Sequence, residues 1–264
     1  MAVRFMLLMP WGRVGSNLLM AILRQSAPMK LDNEQFNRLG TDAEQESWLT
    51  EFYELNAKIP SAEIIGSKQN VLAIRDFERM RARLINYGIR LVRLRRDNVV
   101  KTAVSQMRAE QYADKTERET GKRHWAVKRG AKRLEATEID PDVLLRRIEL
   151  IETLQQRLMT GFADHEALDL EYEEINCSFD ETADRLCSFL EIPRKKNYRI
   201  PHAKATPNDV RSSIRNLEAV EAKLIGTRYA GMLFDGPNPR SAGPNDDCRN
   251  HRVISRPGPF PNRR

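Results

Sequence analysis

Apolar positions along this chain follow two rhythms. VRFMLLM (3–9), AEIIGSK (62–68), IRLVRLRR (89–96) and ALDLEY (167–172) are short apolar or alternating runs bounded by polar or turn residues, and they read as buried strands. Between them, apolar residues recur at steps of three and four. A first helix is expected over about 17–26. A second spans about 43–57, with Trp48, Phe52 and Leu55 on one face. FERMRARLINYG reads as a helix closed by Gly88, and NVVKTAVSQMRAEQ as the helix after the third strand. Asp140 and Pro141 make a helix start, followed by a stripe of Leu144, Ile148, Ile151, Leu154, Leu158 and Phe162. Ser178 and Glu181 stand at capping-box spacing ahead of Phe179, Ala183, Leu186 and Leu190. A last helix is expected over about 213–226.

Strands alternating with helices imply an α/β domain: a central parallel sheet with helices on both faces. Ligands of such sheets bind beyond the carboxyl ends of the strands. Residues 1–234 are expected to form one domain. Within it, 112–140 is polar and weakly patterned and reads as a mobile lid or acceptor loop. Residues 235–264, rich in Pro, Gly, Asn and Arg, read as a disordered basic tail.

Composition narrows the function. A net charge of +7 suits an anionic ligand, a nucleic acid or an anionic surface without choosing among them. Cys177, Cys187 and Cys248 lack metal-ligand spacing, and His124, His165, His202 and His251 form no metal-binding group, so inert thiols and no metal site are expected. No run is long enough to cross a membrane, and the first apolar run is too short for a signal peptide, which predicts a cytoplasmic protein.

The chemistry concentrates after the first strand, in PWGRVGSNLL. A strand, a Gly-containing turn and a helix aim backbone N–H groups and the positive end of a helix dipole at the loop, where a phosphate or sulfate fits. Gly12 and Gly15 allow close approach, Arg13 adds charge, and Ser16 and Asn17 can donate hydrogen bonds and cap the helix. No Lys precedes the Ser, so this is not the loop of a nucleoside triphosphatase. A second motif, RLRRDNVVKTAVSQ, sets Arg95 and Arg96 at a strand end with Ser105 about two turns into the next helix. Guanidinium groups match phosphate geometry bidentately, and a hydroxyl adds a donor.

In this order the motifs resemble those of sulfotransferases that use 3′-phosphoadenosine 5′-phosphosulfate (PAPS). RVGSNLL is similar to that family's RSGST-x-L loop, Arg95 or Arg96 with Ser105 to its 3′-phosphate grip, and LEYEEI with CSFLEIP to its YED-like strand and FLG helix end. The likeness covers roughly residues 3–234 and points in particular to bacterial carbohydrate sulfotransferases, such as those that modify trehalose lipids and nodulation factors. Departures are visible. Val14 replaces the commoner Ser or Thr, Ser105 stands one residue further from Arg96 than the family spacing, and Glu191 occupies the place of a Gly.

The resemblance implies a sulfotransferase fold and in-line sulfonate transfer from PAPS to a carbohydrate or glycolipid hydroxyl, without metal. Such chemistry depends mainly on positioning and charge stabilisation. It implies that Arg13, Val14, Gly15, Ser16 and Asn17 hold the 5′-phosphosulfate, with Arg13 offsetting charge on the leaving oxygen. Arg95 or Arg96 with Ser105 would hold the 3′-phosphate, and Lys204 would contact the nucleotide. Glu34, in DNEQFN, is the implied general base, with Asp32 and His124 as alternatives. Lys68, in GSKQ, would reach the sulfonate. Two other classes are a small-molecule kinase, opposed by the missing lysine, and a nucleic-acid binder using Arg93, Arg95, Arg96 and 122–133. The latter is opposed by the absence of aromatic residues interleaved with the basic ones, so no nucleic-acid partner is expected.

Overall fold

The alternation of apolar runs and helical stripes becomes, in a computed structural model, five parallel strands in the order β2-β3-β1-β4-β5: β1 (Val3–Met9), β2 (Met29–Asn33), β3 (Ile64–Asn70), β4 (Arg90–Arg95) and β5 (Ala167–Glu171). The structure describes residues 2–59, 63–125, 134–199 and 209–233. The helices are α1 (Ser16–Ser26), α2 (Asp42–Ala57), α3 (Phe77–Asn86), α4 (Val99–Thr120), α5 (Pro141–Gly161), α6 (Tyr172–Cys177), α7 (Phe179–Phe189) and α8 (Leu217–Leu224).

Period-2 alternation within β1 builds two cores. Phe5, Leu7 and Met9 face Leu19, Ile22 and Leu23 of α1 and Ala183 and Leu186 of α7. Met6 and Leu8 face Leu49 and Tyr53 of α2, Met80 and Leu84 of α3, and Leu154 and Leu158 of α5. Burial on both faces is why β1 reads as an unbroken apolar run. The α5 stripe serves two cores, because Leu144, Ile148 and Ile151 pack instead with Val100, Ala103 and Val104 of α4 and Val220 of α8. Gly66 pairs with Phe5 across β1 and β3. The Phe5 ring covers it, and a Cβ there would lie 1.9 Å from Cε1, so a side chain has no room.

Several expectations are corrected. A fifth strand joins the four expected ones: edge strand β2, whose mostly half-exposed MKLDN carries too little apolar signal to read as one. The buried face of α2 is Gln45, Leu49 and Tyr53, one position on from the expected stripe, and Leu55 is 54% exposed. Gln45 can be buried because its amide is satisfied, donating to Ala73 O at 2.6 Å and accepting from Arg75 N at 3.3 Å. Helix α4 does not stop near 112 but runs on through 112–120, the first part of the stretch read as a lid or loop, to a left-handed Gly121. Ser178 precedes α7 but makes no side-chain cap. The last helix is shorter than expected, with a 3-10 turn at Val210–Ser213 ahead of it. The tail from 235, most of the basic 122–133 segment, His202, Cys248 and His251 lie outside the described residues. Among the described residues no helix is long and apolar enough to cross a membrane.

Candidate functional site

The β1–α1 loop leaves the carboxyl end of the central strand where the sheet order switches, between β3 on one side and β4 on the other. Arg13 (φ 72°) and Gly15 (φ 89°) both take left-handed backbone, which turns the chain sharply into α1. Gly15 itself is the N-cap and no side chain caps the helix, so Ser16 and Asn17 do not play the capping role their types suggested. Helix geometry leaves the N–H groups of Ser16 and Asn17 without intrahelical carbonyl partners, facing the loop, while Leu18 N already donates to Gly15 O at 2.9 Å. The Val14 side chain is fully buried in the core beneath, so it does not line the concavity.

Behind Gly15 lies Tyr172, the first residue of α6; a Cβ on Gly15 would meet its Cδ2 at 2.5 Å. The guanidinium of Arg96 sits over the other part of that stack, 4.5 Å from the Tyr172 ring centroid. Arg95 and Arg96 are separated by strand alternation. Arg95 pairs with Glu171, its register partner on β5, just as Arg93 pairs with Asp169. Arg96 is 7% exposed and turns towards the loop. Its carbonyl accepts from Gln155 Nε2 at 2.6 Å, Glu173 Oε1 stands 3.8 Å from its Nε, and that Nε has no hydrogen-bond partner.

Arg13 Nε donates to Ser105 Oγ at 3.1 Å and its Nη1 to Trp125 O at 3.4 Å, while Gln106 Nε2 ties Gly12 O to α4 at 3.0 Å. Burial, then the nearby charges of Arg96 and Arg108, push the Arg13 pKa down. Burial does the same to Arg96, partly offset by Tyr172 and Glu173. Each cation therefore sits where an added anion would be favoured. The structure thus brings Arg13, Gly15, Ser105 and Arg96 together, leaves Arg95 on the other face of β4, and does not describe Lys204.

A second cluster lies across α1's first turn. Lys68 Nζ is 2.8 Å from Glu34 Oε1 and donates to Asn17 Oδ1 at 3.4 Å. Glu34 takes left-handed backbone (φ 57°), and its N–H donates to Lys68 O at 2.6 Å, so strand β3 fixes both its backbone and its carboxylate. The other carboxylate oxygen accepts from Asn37 Nδ2 at 3.3 Å and Asn70 Nδ2 at 3.2 Å. Non-glycine residues in left-handed backbone are uncommon, and two of the three among the described residues, Arg13 and Glu34, lie here. Of the alternative bases, Asp32 sits on β2 opposite Ser67, and His124 is exposed beside Trp125.

The ring of Tyr172, a residue type that reads from the sequence as packing, lies between Gly15 and Arg96. Lys101 and Arg108 are buried, and with Ser105 they fall at helical spacing on one face of α4. That spacing was the available signal, but mid-helix Lys and Arg usually face solvent. Arg108 donates to Ser213 Oγ at 2.9 Å and to Leu134 O and Glu135 O at 3.0 Å, anchoring to α4 the segments that lead into α8 and α5.

No protein-family model matches the chain, and no curated protein is significantly similar to it in sequence. Among solved structures it is similar to mouse sulfotransferase SULT7A1 complexed with PAP, at 18% identity over 73% of this chain and 61% of that one, TM-score 0.42. It is also similar to the sulfotransferase domain from the curacin biosynthetic pathway (14% identity, 74% and 76% covered, TM-score 0.40). A third neighbour is a sulfotransferase from Alicyclobacillus acidocaldarius (14%, 84% and 91%, TM-score 0.44). The chain spans about three-fifths of the length of the mouse protein. Likeness this distant assigns no activity.

Proposed function

We propose that this chain is a sulfotransferase that carries a sulfonate group from PAPS to a hydroxyl of a carbohydrate or glycolipid. The observation that carries the reading is Lys68, which stands between a cationic pocket and a carboxylate: it touches Asn17 at the N-terminus of α1 and Glu34 across from it. A donor with phosphates at one end and a transferable group at the other fits between them. The fit rests on the Gly15 cradle, the buried Arg96 Nε that has no hydrogen-bond partner among the described residues, and the absence of a lysine ahead of Ser16. The motif resemblance supports the same class.

In this reading Arg13 and the first-turn N–H groups hold the 5′-phosphate, and Arg96 with Ser105 holds the 3′-phosphate. Lys204, outside the described residues, is given a contact with the nucleotide by the motif resemblance alone. The bound donor supplies an electrophilic sulfur on a phosphate leaving group. Glu34 takes the proton of the acceptor hydroxyl as its oxygen bonds to sulfur. Arg13 offsets the charge that the leaving phosphate oxygen gains when its bond to sulfur breaks, and Lys68 steadies the sulfonate oxygens.

The test is calorimetric titration with adenosine 3′,5′-bisphosphate (PAP) against ADP and AMP at fixed salt. PAP binding at least about tenfold tighter than ADP, about 1.4 kcal/mol, is the expected result. Equal affinities would remove the 3′-phosphate pocket and bring a kinase forward.

A further inference from the structure

The last residue of β3 contains an atom that has no hydrogen-bond partner among the described residues. Asn70 is 4% exposed. Its Nδ2 donates to Glu34 Oε2 at 3.2 Å and to Asn37 Oδ1 at 3.3 Å, while its Oδ1 is buried with no hydrogen-bond partner. The amide cannot be turned the other way. A carboxylate oxygen only accepts, so the NH2 group must face Glu34, and Oδ1 is left as the orphan. A buried carbonyl with no donor is costly, and such atoms in native proteins have a reason.

Strand geometry says where the reason lies. Lys68 and Asn70 are two apart on β3 and so project from the same face, the one that carries Glu34. A carboxylate offers about four lone-pair sites. In Glu34, Lys68 uses one on Oε1, and Asn37 and Asn70 use those on Oε2. The open site is therefore on Oε1, beside Lys68, and the Asn70 carbonyl belongs to the same amide that holds Oε2. An acceptor whose reacting hydroxyl donates to Glu34 has a second hydrogen-bond acceptor waiting a short step away. A lone alcohol or a phenol has nothing to give it.

We propose that Asn70 is the residue that selects the acceptor: its Nδ2 orients Glu34, and its Oδ1 accepts a hydrogen bond from a second hydroxyl next to the one that receives the sulfonate, so that the substrate class is vicinal polyols. This rests on the sulfonate-transfer reading above and gives its acceptor end a chemical criterion. A site built to hydrogen-bond a substrate hydroxyl discriminates strongly against analogues lacking it, because the protein group is then left unpaired.

The experiment follows transfer from labelled PAPS to methyl glucoside, methyl galactoside, trehalose and myo-inositol, with cyclohexanol and phenol as acceptors lacking a neighbouring hydroxyl. PAP affinity and thermal unfolding are measured on every variant. For the wild-type protein, at least one polyol should be used with kcat/KM at least tenfold above cyclohexanol. Asn70→Ala and the near-isosteric Asn70→Leu should raise KM for that polyol at least tenfold, lower kcat less, and collapse the preference over cyclohexanol, while PAP binding persists. A purely structural role would leave the ratio of the two acceptors unchanged. The proposal is overturned if the preference survives in a folded variant, if phenol or cyclohexanol is used as well as any polyol, or if no polyol is used by protein that binds PAP. Failure to bind PAP would instead overturn the sulfonate-transfer reading itself.

Discussion

The ring of Tyr172 closes the space above Gly15: a Cβ at that glycine would sit 2.5 Å from Cδ2 of the tyrosine. The backbone there is left-handed as well, at φ 89°, so two independent constraints demand glycine. Gly15→Ala therefore incurs about 1–2 kcal/mol of backbone strain and also displaces the ring on which Arg96 rests. The expected outcome is a lower melting temperature and at least about tenfold weaker PAP binding. The steric part should shrink in a Tyr172→Ala background, giving a non-additive double-mutant cycle. Strict additivity would show that the contact is not felt.

Two adjacent arginines make a sharper test. Arg95 is half exposed and paired with Glu171, whereas Arg96 is buried beside the loop. Arg96→Ala should weaken PAP about 10–100-fold, the range for losing a hydrogen bond to a charged group. Arg95→Ala should stay within about fivefold, as befits an exposed ion pair. Titration calorimetry on the two variants separates them, and equal losses would mean the strand alternation has been misread.

That pair also marks how far the sequence could be read. The strand, the motif and the charge were legible, because β1, β3, β4 and the α5 stripe announce themselves by periodicity. Which arginine faces the pocket was not, since a strand's last residue can turn to either side until the register with β5 is known. The same limit explains Asn70 and Gln45. A buried amide reads as surface in the sequence, and only its partners reveal otherwise. The strand β2 stayed hidden because an edge strand with one wet side needs few apolar residues.

Glu191 illustrates a departure that changes stability and leaves chemistry alone. It holds φ 53° where the resembling family has Gly, and its exposed carboxylate reaches Arg90 at 2.5 Å. Left-handed backbone disfavours any side chain, while an exposed pair contributes little. Glu191→Gly should stabilise by about 0.5–1 kcal/mol, raising the melting temperature by roughly 2 °C. A fall would mean that the Arg90 contact outweighs the strain.

Acid should loosen the junction of α2 and α3. Hydrogen bonds from Arg83, opposed by burial and helped by Arg79, hold the Asp42 carboxyl below its ordinary 3.8. A pKa lowered by folding contributes stability that is fully present above the unfolded value and is lost as pH falls through the folded one. Asp42→Asn should therefore melt lower than wild type at pH 7, with the gap narrowing below about pH 3.8. A gap independent of pH would trace the loss to packing.

Glu34→Gln isolates the chemistry. Glutamine keeps a carbonyl for Lys68, whose buried ammonium would otherwise lose its nearest partner, so the fold and the anion pocket should persist. It cannot take a proton from an acceptor hydroxyl. Turnover should fall about 10²–10⁴-fold, the usual worth of a general base, with PAP affinity unchanged within about threefold. The comparison with Lys68→Met is informative because the two share one ion pair. Lys68→Met leaves the carboxylate but removes the cation beside Asn17, so it should weaken PAPS more than PAP, the difference reporting the sulfonate. If Glu34→Gln retains turnover while Lys68→Met loses it, the carboxylate serves to place the lysine and the proton leaves by another route, with Asp32 and His124 the next residues to replace.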